Sequence, residues 1–285
     1  PAAEDEDEAM KILHANGAAM PAIGLGTWTL RGRACTELVS HALEIGYRHI
    51  DTAASYENEA DVGEAIRNAA IPRDQIFLTT KIWWTDLAPA DLERSTERSL
   101  KLLGLDYVDL LLIHWPNPDI PLAQTIPALN RMRERGLTRH IGLSNFPTRL
   151  IEEALRLSEA PLVANQVEYH PYLDQGKVLA ACRANGMMMV SFCPLHRGGG
   201  LLGEPAVVAA AARHGKTPAQ IVLRWHVQQD GVAVIPRTSR KERLAENAAI
   251  FDFSLDAAEM DAIGALRKAG KRICDYAFSP VWDTA

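Results

Sequence analysis

Residues 107–145 read YVDLLLIHWPNPDIPLAQTIPALNRMRERGLTRHIGLSN. The stretch opens with an apolar run, Val108 to Ile113, of strand length, and ends on a second short run, HIGLSN. Between them LAQTIPALNRMRERG (122–136) is amphipathic and stops at Gly136, the residue type favoured just past a helix C-terminus. A strand, a helix and another strand in that order imply parallel pairing.

The same alternation extends both ways. Upstream lie the strand patterns AIGLGT (22–27), HIDTA (49–53) and IFLTTKI (76–82); downstream lie LVANQVEYH (162–170), MMMVSFCPL (187–195) and GVAVIPR (231–237). Helical patterns such as RACTELVSHALEIG, ADLERSTERSLKLLG and KVLAACRANG fill the intervals. Eight such units fit a closed (β/α)8 TIM barrel better than an open doubly wound sheet, which typically has fewer strands and a glycine-rich first turn. Asn16-Gly17 predicts an N-terminal β-hairpin ahead of the barrel. The longest interval holds two helical patterns, PAVVAAAARHG and PAQIVLRWHVQQ, and DAAEMDAIGALRKAG (256–270) adds another, so extra peripheral helices are expected. No linker-like stretch divides residues 10–285, which read as a single domain. Residues 1–9 read as an acidic tail outside the fold, with MKILHANG from Met10 resembling a natural beginning.

The chain has 30 Lys and Arg against 36 Asp and Glu, a net charge of −6 that argues against a nucleic-acid partner. Its apolar runs are strand-sized and far short of the ~20 residues of a membrane span. The acidic N-terminus is unlike a secretory signal, which points to the cytoplasm. Cys35, Cys182, Cys193 and Cys274 are widely spaced and predict neither a disulfide framework nor a zinc site but free thiols. His41, His49, His140, His170 and His226 have no metal-like spacing, so no metal is expected.

Chemistry on such a barrel sits at the C-terminal ends of the strands. Asp51, Lys81, His114, Asn145 and Gln166 fall at five successive ends. Each alone has a structural explanation as a cap, a snorkelling cation or a satisfied rim residue; five in succession point to a site.

AIGLGTW, GYRHIDTAASYENEADVGEAI, TTKIW, VDLLLIHWP, IGLSNF, NQVEYHPY and VIPRTSRKERLAEN, in that order, resemble the aldo-keto reductase superfamily from Met10 to about Ala269. The short loops and terminal SPVWD are similar to bacterial 2,5-diketogluconate and methylglyoxal reductases. The resemblance implies NADPH-dependent reduction of aldehydes and ketones by a monomer, with a catalytic tetrad on Asp51, Tyr56, Lys81 and His114. Hydride addition builds charge on the carbonyl oxygen, so a proton donor must stand beside it. Tyr56 fills that role. A free tyrosine has a pKa of about 10, and a Lys81 ammonium held by Asp51 is expected to lower it. Neutral His114 orients the substrate oxygen.

The resemblance further implies that Ser144, Asn145 and Gln166 bind the nicotinamide carboxamide, that Phe192 stacks on its ring, and that Leu195 belongs to the cofactor site. Arg237, Thr238 and Arg243 correspond to positions around the 2′-phosphate, and Glu246 and Asn247 to positions near adenine. Arg240 and Lys241 read as solvated. No G-x-G-x-x-G joins a strand to a helix, so a Rossmann site is not indicated. The glycine-rich HRGGGLLGE (196–204) lies where relatives fold a segment over the pyrophosphate, and the sequence leaves open whether it closes. Trp28, Trp83 and Trp115 match substrate-pocket positions. WPNPDIP is short and little chain follows residue 270, so the pocket is expected to be shallow and open, favouring small dicarbonyls and sugar-derived ketones. A competing reading is an NADP-binding regulatory subunit of a larger assembly with slow turnover. A barrel isomerase is a third, but it leaves Tyr56 and Lys81 idle.

Overall fold

Asn16 and Gly17, with φ of 46° and 88°, turn the chain between β1 (Ile12–Ala15) and β2 (Ala18–Pro21), the antiparallel hairpin that the Asn-Gly pair predicts. The computed structural model describes residues 11–283, so the acidic tail expected over 1–9 lies outside the described residues. Asn16 Nδ2 donates to the carbonyls of Leu162, the first residue of a barrel strand, and Asn185, at the end of the helix that precedes the next strand, so the hairpin covers the N-terminal mouth.

Eight parallel strands follow: β3 (Leu25–Gly26), β4 (His49–Asp51), β5 (Phe77–Ile82), β6 (Val108–Ile113), β7 (Thr138–Ser144), β8 (Leu162–Glu168), β9 (Met188–Phe192) and β10 (Val232–Val234). They pair in sequence order from β3 to β10. A parallel bridge between Ile23 and Val234 closes the ring, with Gly24 N–H donating to Val234 O and Val234 N–H to Ala22 O, both at 2.8 Å. The seam explains Gly26: a Cβ there would lie 2.8 Å from Ile235 O, so only glycine lets the first and last strands meet. The terminal strands are shorter than AIGLGT and GVAVIPR predict, because the seam is held by single bonds rather than a long ladder.

Helices pack outside the strands. In order they are α1 (Gly32–Glu44), α2 (Glu59–Asn68), α3 (Pro89–Leu103), α4 (Leu122–Glu134), α5 (Thr148–Leu157) and α6 (Gly176–Ala184). The interval before β10 holds the two expected helices, α7 (Pro205–His214) and α8 (Pro218–Gln228), each starting with proline at the first turn. After β10 come α9 (Lys241–Ala248) and α10 (Ala257–Gly264), the latter begun by a reciprocal capping box between Asp256 and Glu259. The hairpin closes one end of the barrel, so polar residues at the other end are left to face a cavity.

Candidate active site

Asp51 ends β4, Lys81 lies in β5, and His114 follows β6; all three are buried. Tyr56 arrives from a 3-10 turn, Ala54–Tyr56, just beyond Asp51. Lys81 Nζ donates to Asp51 Oδ1 at 2.5 Å and to Thr52 O at 2.8 Å, and contacts Tyr56 Oη at 3.3 Å. Gln166 Nε2 donates to the other Asp51 oxygen at 2.7 Å. The Tyr56 and His114 rings meet edge-on at 5.7 Å, and Trp83 packs against the other side of His114 at 5.2 Å. Asp51 and Tyr56, five positions apart, thus share one strand-end cluster with Lys81 and His114, which lie tens of positions further on.

Their protonation follows from burial. His114 is held well below the ordinary imidazole range, first by desolvation and then by the Lys81 charge, so it is neutral. Desolvation also lowers Lys81, against the opposing pull of Asp51. Tyr56 departs from the sequence expectation: burial, reinforced by Asp51, raises its phenol well above the usual value. The physical reason is burial: Lys81 keeps its two shorter bonds on Asp51 and Thr52, and its longer 3.3 Å contact with the phenol does not offset the desolvation. The arrangement keeps a loaded proton donor beside a neutral imidazole.

The cluster opens into a cavity of about 1080 Å³. Asn145, Gln166, Phe192 and Leu195 line one side. Thr238, Arg243, Glu246 and Asn247, with Arg237, line the other. Asn145 Nδ2 is committed to His114 O and Ser144 Oγ, while its Oδ1 is buried without a partner. An unpartnered buried carbonyl oxygen on a residue that lines the cavity fits a ligand amide donor such as a carboxamide. Ser144 is not among the residues lining the cavity; its hydroxyl donates to Gln166 O and accepts from Asn145 Nδ2, behind both residues. Arg237 keeps two of its guanidinium N–H groups on Trp28 O at 3.2 Å and Thr29 Oγ1 at 2.7 Å, in the loop after β3, while lining the cavity. Arg240 is exposed, as its sequence reading as solvated expects, with its guanidinium 3.7 Å from Glu242, and it borders the cavity beside Arg243 with its N–H tied to Thr238 Oγ1.

Trp28, Trp83 and Trp115 all line the cavity. The C-terminal segment adds a wall to the pocket that the short-loop reading does not include. Phe278 stacks on Trp84 at 5.0 Å and meets Trp115 edge-on at 5.5 Å, while Tyr276 packs on Trp115 at 5.7 Å. Tyr276, Phe278 and Cys274 therefore wall the cavity, residues that the sequence reading passed over. Their signal was an aromatic concentration, DYAFSPVWD, in a chain with 6% aromatics.

Buried Glu168 anchors this segment, accepting from Ile273 N–H and Cys274 N–H, both at 2.6 Å, and pairing with His170 at 2.9 Å. Burial alone would raise the Glu168 carboxyl, but the His170 and backbone hydrogen bonds together hold it below the usual value. At the far end Asp283 accepts from the N–H and hydroxyl of Thr148 at the start of α5. Glu168→Gln is expected to cost about 2 kcal/mol, because charge-assisted acceptors are replaced by one amide oxygen. Faster proteolysis of the C-terminal segment, with a raised KM and little change in kcat, is the measurement; an unchanged cleavage rate would remove Glu168 as its anchor. Since the folded carboxyl is depressed, its stabilisation is full above the unfolded carboxylate pKa of about 4.3 and is lost as pH falls through the lower folded value.

The barrel thus carries at its mouth a hydrogen-bonded Asp–Lys–Tyr cluster beside a neutral histidine. The sequence profile of the Aldo/keto reductase family matches residues 22–268, and the chain belongs to that family. It is 41% identical to methylglyoxal reductase DkgB of Salmonella typhimurium over 93% of this chain and 99% of that protein. It is 37% identical to aldo-keto reductase family 1 member A1 of Gallus gallus, over 89% of this chain and 87% of that one. Among solved structures, a provisionally assigned 2,5-diketo-D-gluconic acid reductase B superposes with a TM-score of 0.94 at 46% identity, covering 98% of this chain and all (100%) of the other. A Bombyx mori aldo-keto reductase crystallised with NADP superposes with a TM-score of 0.86 at 33% identity, over 93% of this chain and 95% of that one. The chain is therefore an oxidoreductase whose family draws on a nicotinamide dinucleotide. Among the described residues no helix is long and apolar enough to cross a membrane, and no group of three or more His, Cys, Asp and Glu is arranged to hold a metal ion.

Proposed function

We propose that the chain is an NADPH-dependent carbonyl reductase in which Tyr56 is the general acid. The observation that carries this reading is the hydrogen-bonded run from Asp51 through Lys81 to the Tyr56 hydroxyl, opening beside His114 into the cavity. Bound NADPH would supply a hydride. Asn145 would hold its carboxamide, Phe192 would offer a stacking face, and Arg240 and Arg243 would meet its 2′-phosphate. His114, neutral, donates a hydrogen bond to the substrate oxygen and fixes its direction. Tyr56 gives that oxygen its proton as negative charge develops, and Lys81 compensates the phenolate left behind. Asp51 keeps Lys81 charged in a site where burial alone would strip its proton.

These protonation states predict a flat pH profile. His114 ionises below about 6.5 and Tyr56 above about 10, so kcat/KM for reduction should not vary between those limits because of either group. A titration with an apparent pKa near 7 would mean that another group carries the proton.

The cavity must hold a dinucleotide as well as the carbonyl, so the share of its roughly 1080 Å³ left to the substrate is small. The names of the relatives support methylglyoxal and 2,5-diketogluconate as representatives of the class, small dicarbonyls and sugar-derived ketones. The test compares kcat/KM for those two with that for a steroid ketone; a steroid preference would overturn the substrate class. Reduction in the cytoplasm by a single chain is part of the same proposal.

A further inference from the structure

Cys193 and Cys274, read from their spacing as unrelated free thiols, lie side by side. Cys193 follows the last residue of β9 and takes a left-handed φ of 51°, unusual for a residue with a side chain. Cys274 belongs to the C-terminal segment and is held by its N–H on Glu168. The two thiols hydrogen-bond to one another, and both line the cavity. Arg197 spans the pair: its Nη2 lies 3.9 Å from Cys274 Sγ, and its guanidinium also hydrogen-bonds Cys193. The other two cysteines, Cys35 and Cys182, are buried in the hydrophobic core.

We propose that Cys193 and Cys274 are a dithiol modification site that a hydroperoxide converts to a reversible disulfide. Cys193 is the attacking sulfur. The hydrogen bond from Cys274, opposed by burial and aided by the Arg197 charge, holds its thiol below the usual range, whereas Cys274 is pushed up. The Cys193 thiolate attacks one peroxide oxygen and the O–O bond breaks. This leaves Cys193 as a sulfenic acid and releases a hydroxide or alkoxide that takes up the proton Cys193 had lost. Cys274 sulfur then attacks Cys193 sulfur, the S–O bond breaks, and the departing hydroxide takes the Cys274 proton and leaves as water. Two thiols lose two electrons to one peroxide.

The bond would tie the strand end beside Phe192 to the segment carrying Tyr276 and Phe278. Its effect on turnover rests on the reductase reading; its formation does not.

The test treats the full chain with hydrogen peroxide, alkylates it under denaturing conditions, and maps the peptides. The expected result is loss of label from Cys193 and Cys274, a linked peptide containing both and two hydrogens lighter than its parts, and release by dithiothreitol, with Cys35 and Cys182 still labelled. Persistent labelling of both, or a Cys193 sulfinic acid without the linked peptide, overturns the proposal. In Cys274→Ser the intermediate has no resolving thiol, so dimedone should capture a Cys193 sulfenic acid; no capture in folded protein overturns the assignment of Cys193 as the attacking sulfur. Methylglyoxal reduction by the untreated protein is assayed in parallel. Its absence would sink the reductase reading and leave the peptide map intact.

Discussion

Tyr56→Phe is expected to lower kcat/KM for carbonyl reduction by about 10²- to 10⁴-fold, the usual cost of losing a general acid. The change removes one oxygen whose protein contact is the 3.3 Å approach of Lys81, leaving Asp51 and Thr52 to hold the ammonium. The fold and the cofactor contacts should therefore survive. NADPH binding, followed by quenching of tryptophan fluorescence, should stay within about twofold of the parent, a few tenths of a kcal/mol. Turnover near that of the parent would show that the proton comes from elsewhere, and His114 would be the next group to replace.

The second large effect concerns the cofactor. Arg240 and Arg243 line the cavity where α9 begins, and Arg243 makes no ion pair among the described residues. Each charge-assisted contact to a phosphate is worth about 1.5 to 3 kcal/mol before solvent screening. Losing both in Arg240→Ala with Arg243→Ala should lower kcat/KM for NADPH by about 10²-fold while leaving NADH nearly untouched. Arg237→Ala is the contrasting variant. Its guanidinium holds the Trp28 carbonyl and the Thr29 hydroxyl, so its loss should loosen the Trp28 loop and raise the carbonyl KM with either cofactor. An unchanged NADPH-to-NADH ratio in the double variant would put the 2′-phosphate site elsewhere.

The alternation of strand and helix patterns from residue 22 to residue 248 determined the barrel, because each element must bury one face or both and its periodicity records which. The same logic placed Asp51, Lys81, His114, Asn145 and Gln166 at one mouth: in a parallel barrel every strand end points the same way, so position along the strand is position in the site. Residues outside that periodicity were decided only by tertiary structure. The segment from 271 to 283 has no repeating pattern, and it becomes a pocket wall because Glu168, 105 residues before Ile273, supplies its buried acceptor. The Arg237 guanidinium is shared with a loop two hundred residues away, at Trp28 and Thr29, and the exposed Arg240 borders the same cavity, contacts that no local pattern records. Tyr56 stays protonated because the assembled barrel mouth buries its phenol beside Asp51, which no local pattern records. Cys193 and Cys274 meet because a strand end and an anchored terminal segment converge on one rim. Local patterning encodes which elements form and which faces they bury, whereas contacts between irregular segments depend on single distant partners, which appear only once the chain has closed on itself.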